Sequence, residues 1–173
     1  PHEGTISLKT CSHHYKLYPK LKNNENFNNN YPDLFYINLK HRTDRKTHLE
    51  GELNEIGYPA EKITRIDATK HDIGATGCNL SHINALKEGS NSPDDYIIVL
   101  EDDFTWKYDK DKTNDILNKC LNCEEDWNVI LLSKNGNSVP YNDFLEKVVH
   151  SQTASGYIIK KKYIPTLLKL WED

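Results

Sequence analysis

Methionine is absent from the 173 residues. Residue 1 is therefore not an initiating methionine, and the sequence is expected to be a processed or trimmed piece of a longer one. Arginine is nearly as scarce, with only Arg42, Arg45 and Arg65 among the 22 basic residues. Against 26 acidic residues the formal charge is −4, which leaves no basic footprint for nucleic acid or an anionic membrane surface. No apolar run approaches the roughly 20 residues that a membrane-spanning helix requires. The N-terminal part also lacks the apolar core behind a basic start that marks a secretory leader. Hydrophobic residues make up 36% and mean hydropathy is −0.77, polar for a globular chain but enough for one domain of this length to bury a core. Three signatures are missing as well: the Gly-Lys-Ser/Thr of a P-loop, GxGxxG, and the GxSxG nucleophile elbow.

Cysteine is sparse too. Cys11, Cys78, Cys120 and Cys123 are too few in this length for a disulfide scaffold. Cys120-x-x-Cys123 has the spacing of half a zinc site or a redox pair. No second CxxC or His-x-x-x-His accompanies it, however, so it reads as structural thiols at the end of a helix. Such cysteine usage fits the cytoplasm. Residues 1–31 are poor in apolar side chains and end in an asparagine-rich run. Asparagine competes for backbone hydrogen bonds, so this segment is expected to be an N-terminal extension or linker.

Residues 32–173 read as one domain in which strands alternate with helices. Leu34-Phe35-Tyr36-Ile37-Asn38-Leu39 is a short apolar run suited to a strand buried on both faces. Leu49, Leu53 and Ile56 then fall at helical spacing, with Gly57 and Pro59 as the stop. Ile63 to Ile66 is a second short strand. Leu80, Ile83 and Leu86 mark a helix before Gly89, and Tyr96-Ile97-Ile98-Val99-Leu100 is the strongest strand signal in the chain. A helical face at Ile116, Leu117, Cys120 and Leu121 is followed by strands at 129–132 and 157–159. Ile164, Leu167, Leu168 and Trp171 form a last helix with Pro165 in its first turn. This order predicts an α/β domain with a mostly parallel central sheet flanked by helices. Ligands of such sheets bind beyond the carboxyl ends of the strands.

Three polar clusters stand at those ends. Glu101, Asp102 and Asp103 follow the strongest strand. If the chain stays extended there, Glu101 and Asp103 share one face and Asp102 points to the other. Two carboxylates about 4 Å apart repel by roughly 4 kcal/mol at an effective dielectric near 20, a cost that a divalent cation removes. Oxygen ligands suit Mg²⁺ or Mn²⁺, which complete their shells with water and phosphate oxygens. A solvated turn or a helix N-cap is the plainer reading of the same residues. After the first strand, Arg42 and Arg45 are three apart and on a helical turn would share a face, two guanidinium forks suited to phosphate. Asn38 beside them is placed to bond a base or ribose. The turn Gly74-Ala75-Thr76-Gly77-Cys78-Asn79-Leu80-Ser81-His82 opens a helix, where backbone N–H groups take an anion and Ser81 and His82 stand nearest. The alternative is a capping turn with His82 packed on the sheet.

In this order the clusters resemble glycosyltransferase family 25, the lipooligosaccharide galactosyltransferase and procollagen galactosyltransferase-like group. The resemblance is carried by Phe35-Tyr36-Ile37-Asn38-Leu39 with Arg42 and Arg45, Ile66-Asp67-Ala68, Gly77-Cys78-Asn79-Leu80-Ser81-His82-Ile83-Asn84-Ala85 and Val99-Leu100-Glu101-Asp102-Asp103. It spans about residues 33–170. It implies a GT-A type fold and transfer of a hexose (galactose or glucose) from a UDP-sugar to a glycan or hydroxylated protein acceptor. Inversion at the anomeric carbon and Mn²⁺ (or Mg²⁺) as cofactor are implied with it, in lipopolysaccharide assembly or collagen glycosylation. Glu101, Asp102 and Asp103 take the place of the metal and diphosphate motif, with Glu101 and Asp103 as metal ligands and Asp102 and Asp103 as catalytic residues. Asn38, Arg42, Arg45, Asp67, Gly77, Ser81 and His82 line the nucleotide-sugar pocket. The acceptor base is not assigned by the motif. Asp143 and Glu146 are candidates because they lie in a polar stretch, 134–147, that reads equally as an acceptor-side lid or a disordered connection. A catalytically degenerate domain kept for binding or assembly is the competing reading. A phosphohydrolase is disfavoured by the lack of Asp-x-Asp-x-Thr.

Overall fold

The computed structural model describes residues 31–123 and 125–172, together with the backbone of residues 5–8. The chain order is β1 (Thr5–Leu8), β2 (Asp33–Asn38), α1 (Thr43–Glu55), β3 (Ile63–Asp67), α2 (Gly74–Gly89) and β4 (Tyr96–Glu101). It continues with α3 (Lys110–Leu121), β5 (Val129–Leu131), β6 (Gly136–Pro140), β7 (Leu145–Ser151), β8 (Gly156–Lys160) and α4 (Ile164–Glu172). The strands form one sheet in the order β3-β2-β4-β8-β5-β1-β7-β6. Six of these eight run in one direction, and only β8 and β7 are reversed. The mixed α/β class and the mostly parallel sheet are as the alternation predicted.

The core lies on both faces of that sheet because the central strands are apolar on both. In β2, Leu34 and Tyr36 pack with Leu49 and Leu53 of α1, Ile98 and Leu100 of β4, and Leu117 of α3. The alternate residues Phe35 and Ile37 join Ile97 and Val99 on the other face, against Ala85 and Leu86 of α2 and Leu167 of α4. Leu49 and Leu53 are fully buried, each contributing about 1.5–3 kcal/mol relative to exposure. The predicted stop of α1 is in place. Gly57 adopts φ +76°, the Tyr58 N–H donates to the Leu53 carbonyl at 2.9 Å, and the Gly57 N–H donates to that of Asn54 at 3.0 Å. This is the left-handed cap that glycine favours. No described helix is long and apolar enough to cross a membrane.

Three expectations change. Most of the expected linker lies outside the described residues, but Thr5–Leu8 within it is a strand, parallel to β5 and antiparallel to β7. The stretch 134–147 is not a disordered connection: it holds β6 and the start of β7, a hairpin whose turn is organised by Asn142. The Asn142 Oδ1 accepts from the Phe144 and Leu145 N–H groups at 3.0 and 2.8 Å. Only Leu145 and Val148 of this hairpin are buried apolar residues, so its strands carry little hydrophobic signal. In α2, Ile83 and Leu86 are buried as expected but Leu80 is exposed, and the buried face continues through Gly77, Ser81, His82, Ala85 and Gly89.

Candidate functional site

The carboxyl ends of β2, β3 and β4 lie side by side, with Asn38 opposite Asp67 and Ile37 opposite Glu101. The acidic cluster therefore meets the two arginine-bearing segments there. Strand β4 ends at Glu101, and the Phe104 N–H donates to the Glu101 carbonyl at 3.1 Å, closing a turn. Asp102 and Asp103 thus sit in a turn, not in extended chain, and the expected alternation does not apply. Asp103 is the residue that leaves the expected face: Glu101 meets α2, whereas Asp103 joins Asp102 on Arg45 of α1. Asp102 is buried in the site, where its carboxylate accepts from Asn38 Nδ2 at 2.8 Å and Arg45 Nη1 at 3.0 Å. The same Arg45 nitrogen lies 3.2 Å from Asp103 Oδ2.

Glu101 takes a separate path. Its Oε1 is 3.1 Å from His82 Nε2 and accepts from the Cys78 thiol at 3.4 Å. The bond from His82 holds the Glu101 carboxyl below its ordinary range against the opposing effect of burial. Burial and the neighbouring Glu101 push the Cys78 thiol up to about 11. His82 itself is buried, as the packing alternative anticipated, with Nδ1 3.2 Å from the Tyr157 hydroxyl. Burial raises that phenol far above its ordinary range, so it stays neutral.

The repulsion expected among the three acids is relieved by groups of the chain itself: Arg45 pairs with Asp102 and Asp103, while Glu101 is separated from them by its hydrogen bonds to His82 and Cys78. Asn38 is fully used inside this network and is not presented to a base or ribose. Its Nδ2 also donates to the Arg42 carbonyl at 3.0 Å, and its Oδ1 accepts from Arg65 Nε at 3.0 Å. Arg42 is the N-cap of α1 with φ −89° and ψ 63°, outside the helix, so helical spacing does not align it with Arg45. Its guanidinium pairs with Asp44, Nη2 to Oδ2 at 2.7 Å, at the rim of the site.

Two further positions have structural duties. Ser81 Oγ donates to the Gly77 carbonyl at 2.6 Å and accepts from the Thr69 N–H at 2.8 Å, tying α2 to the segment after β3. A Cβ on Gly77 would stand 2.7 Å from the Thr69 carbonyl oxygen, so glycine is what lets that segment pass so close. Asp67 ends β3, but its carboxylate is exposed and paired with Arg65 Nη2 at 2.6 Å.

These elements enclose a cleft of about 280 Å³. Arg42, Arg45, Lys70, His71, Cys78 and Glu101 are among its walls, and the first turn of α2 opens onto it at Gly74 and Gly77. Beyond Asp103 lies a second cleft of about 370 Å³, walled by Phe104, Trp106, Tyr108, Leu132 and Ser155. Phe104 and Trp106 meet edge to face there, centroids 4.8 Å apart. Sequence reasoning did not single out Cys78 as a site residue, nor Arg65, Lys70, His71, Tyr157 or the aromatic cleft. For Cys78 a signal existed, since Cys78 and His82 are four apart on a predicted helix and share a face. The others are brought in by tertiary contact. No protein-family model matches this chain, and no curated protein matches it in sequence.

Proposed function

We propose that the chain is a sugar-nucleotide transferase, moving a hexose from a UDP-sugar to a glycan or hydroxylated protein acceptor on a GT-A type fold. The observation that carries this reading is the fixed guanidinium of Arg45, oriented by the buried Asp102 at the mouth of a cleft beyond three adjacent parallel strands. A diphosphate needs cationic forks and N–H donors. Arg42, Arg45, Lys70 and the first turn of α2 line the same cleft. The aromatic second cleft offers apolar faces suited to the C–H surface of an acceptor sugar. Asp103 has a side chain 52% exposed and borders that second cleft, while its Arg45 partner borders the first. It is the carboxylate positioned to take the proton of an acceptor hydroxyl in an inverting displacement.

The expected Mn²⁺ or Mg²⁺ ligand pair, Glu101 with Asp103, does not fit the donors as they stand. Glu101 is grouped with a thiol and an imidazole, and Asp103 with Arg45. The positive charge facing the departing diphosphate is assigned here to Arg45 and Arg42. The test is calorimetric titration with UDP, with and without Mn²⁺, on the parent protein and on Arg45→Ala. Loss of a charge-assisted hydrogen bond lowers affinity by about tenfold or more. Failure of the parent protein to bind UDP would remove the basis of this reading.

A binding or assembly module is the second reading. It is favoured by the fate of the two proposed bases: Glu146 bonds Lys134 and Ser138, and Asp143 lies in the hairpin turn, neither of them lining either cleft. UDP binding without hydrolysis or transfer of any UDP-hexose would select it.

A further inference from the structure

Cys78 and His82 lie one helical turn apart on α2, and Glu101 faces them from the end of β4. Cys78 Sγ is 3.4 Å and His82 Nε2 is 3.1 Å from Glu101 Oε1, and all three ligand atoms fall within 4.8 Å of one another. A tetrahedral zinc ion with a sulfur ligand at about 2.3 Å and nitrogen or oxygen ligands at about 2.0–2.1 Å spaces its ligand atoms about 3.3–3.6 Å apart. The two distances to Glu101 Oε1 are therefore close to that spacing before any ion arrives, and the third, between the Cys78 and His82 ligand atoms, is within 4.8 Å. We infer that Cys78, His82 and Glu101 form a site for a borderline divalent cation of the Zn²⁺ class, with its fourth position open to the cleft.

The donor set decides the metal class. Thiolate and imidazole select Zn²⁺ or Co²⁺ over the hard ions Mn²⁺ and Mg²⁺, which prefer oxygen throughout. The number of ligands decides the kind of site, since structural zinc centres are closed by four protein ligands and three leave room for water or a substrate oxygen. Cys78, His82 and Glu101 all line the 280 Å³ cleft, so that fourth position faces its interior. The outer contact is present as well. The Tyr157 hydroxyl, 3.2 Å from His82 Nδ1, can either donate or accept. On metal binding the proton of neutral His82 resides on Nδ1 and is donated to Tyr157, leaving the Nε2 lone pair for the ion. Cys78 releases its thiol proton to solvent and binds as thiolate. The inference goes beyond the transferase reading and does not depend on it.

Titration of the full chain with Co²⁺ alone, followed by absorption, tests it. A thiolate-to-cobalt charge-transfer band in the near ultraviolet, with the intense visible bands of a tetrahedral ion, is expected to saturate at one ion per chain and to bleach on adding Zn²⁺. Cys78→Ser removes an exposed thiol and is expected to abolish the charge-transfer band, although Cys11, Cys120 and Cys123 remain. Tyr157→Phe is expected to keep the band and weaken affinity by roughly 10–100-fold. No charge-transfer band in the parent protein, or one of equal intensity in Cys78→Ser, overturns the inference. Displacement of Co²⁺ by an equal concentration of Mn²⁺ overturns the metal class. Since UDP calorimetry is a separate measurement, failure here is distinguishable from failure of the transferase reading.

Discussion

Asp102 and Asp103 are neighbours with the same side chain, yet their removal should have very different consequences. The Asp102 side chain is 10% exposed and accepts one hydrogen bond from Asn38 and one from Arg45, whereas that of Asp103 is 52% exposed and meets Arg45 alone. A hydrogen bond to a charged group contributes about 1.5–3 kcal/mol net when buried. The Arg45 contact must be discounted, since its guanidinium side chain is 39% exposed and water replaces the carboxylate there. Asn38 retains Arg42 and Arg65 as partners. Asp102→Ala is therefore expected to cost about 2–3 kcal/mol, and Asp103→Ala about 0–1 kcal/mol. In a domain of this size the first lowers the thermal midpoint by roughly 4–12 °C and the second by less than about 4 °C. Asp102→Asn keeps an acceptor for Asn38 and should fall between them. Thermal and urea unfolding can be followed by circular dichroism and by the fluorescence of Trp106, Trp127 and Trp171. Equal losses for the two alanine variants would refute the claim that burial, and not the carboxylate itself, sets the contribution.

Three further outcomes are expected. Asp103→Asn should leave the midpoint and UDP affinity near those of the parent while hexose transfer falls by about 10²–10⁴-fold, the usual worth of a general base; undiminished turnover would release Asp103 from that role. Gly57→Ala places a Cβ on a residue at φ +76° and should cost about 1–2 kcal/mol in urea unfolding, with no gain from reduced chain entropy. Lys62 donates to Asp94 at 2.7 Å and lies 3.2 Å from Asp33, and the Asp94 bond, followed by that of Asp33, raises its ammonium above the ordinary 10.5. The stability that the ammonium adds is present below pH 10.5 and is lost as pH rises through the higher folded value, so the gap of about 1 kcal/mol between the parent and Lys62→Met should hold across neutral pH and close in strong alkali.

The central strands were readable because they are buried on both faces. Five consecutive residues of β2 and four of β4 are buried, and an unbroken apolar run is the direct imprint of that environment. The hairpin of β6 and β7 has no such imprint. β6 is the edge strand and most of its residues are exposed, so Gly136, Asn137 and Pro140 read as loop although the backbone pairs with β7, with one irregularity between Asn137 and Ser138. Helix α2 was legible in part. Of Leu80, Ile83 and Leu86 the last two are buried, but the rest of the packed stripe consists of small and polar residues, Gly77, Ser81, His82, Ala85 and Gly89, which leave little apolar pattern to read.

At the site, residue types were legible while their partners were not. The alternation argument for Glu101 and Asp103 assumed extended backbone, and it lapsed as soon as the chain turned after Glu101. What determines the direction of Asp102 is a pair of groups far away in the chain, Asn38 at the end of β2 and Arg45 in α1. Parallel strand pairing brings them to one edge, and no local pattern records that. A cluster of three acids can be stabilised by an ion, by arginine or by histidine. Sequence alone supports the first of these as readily as the others, because each satisfies the same electrostatic requirement. The structure separates the cluster into two differently partnered parts: Asp102 with Asp103 on Arg45, and Glu101 with His82 and Cys78. Charge density at a strand end thus points to a functional edge, but the identity of the cation that belongs there follows only from which donors converge on each oxygen.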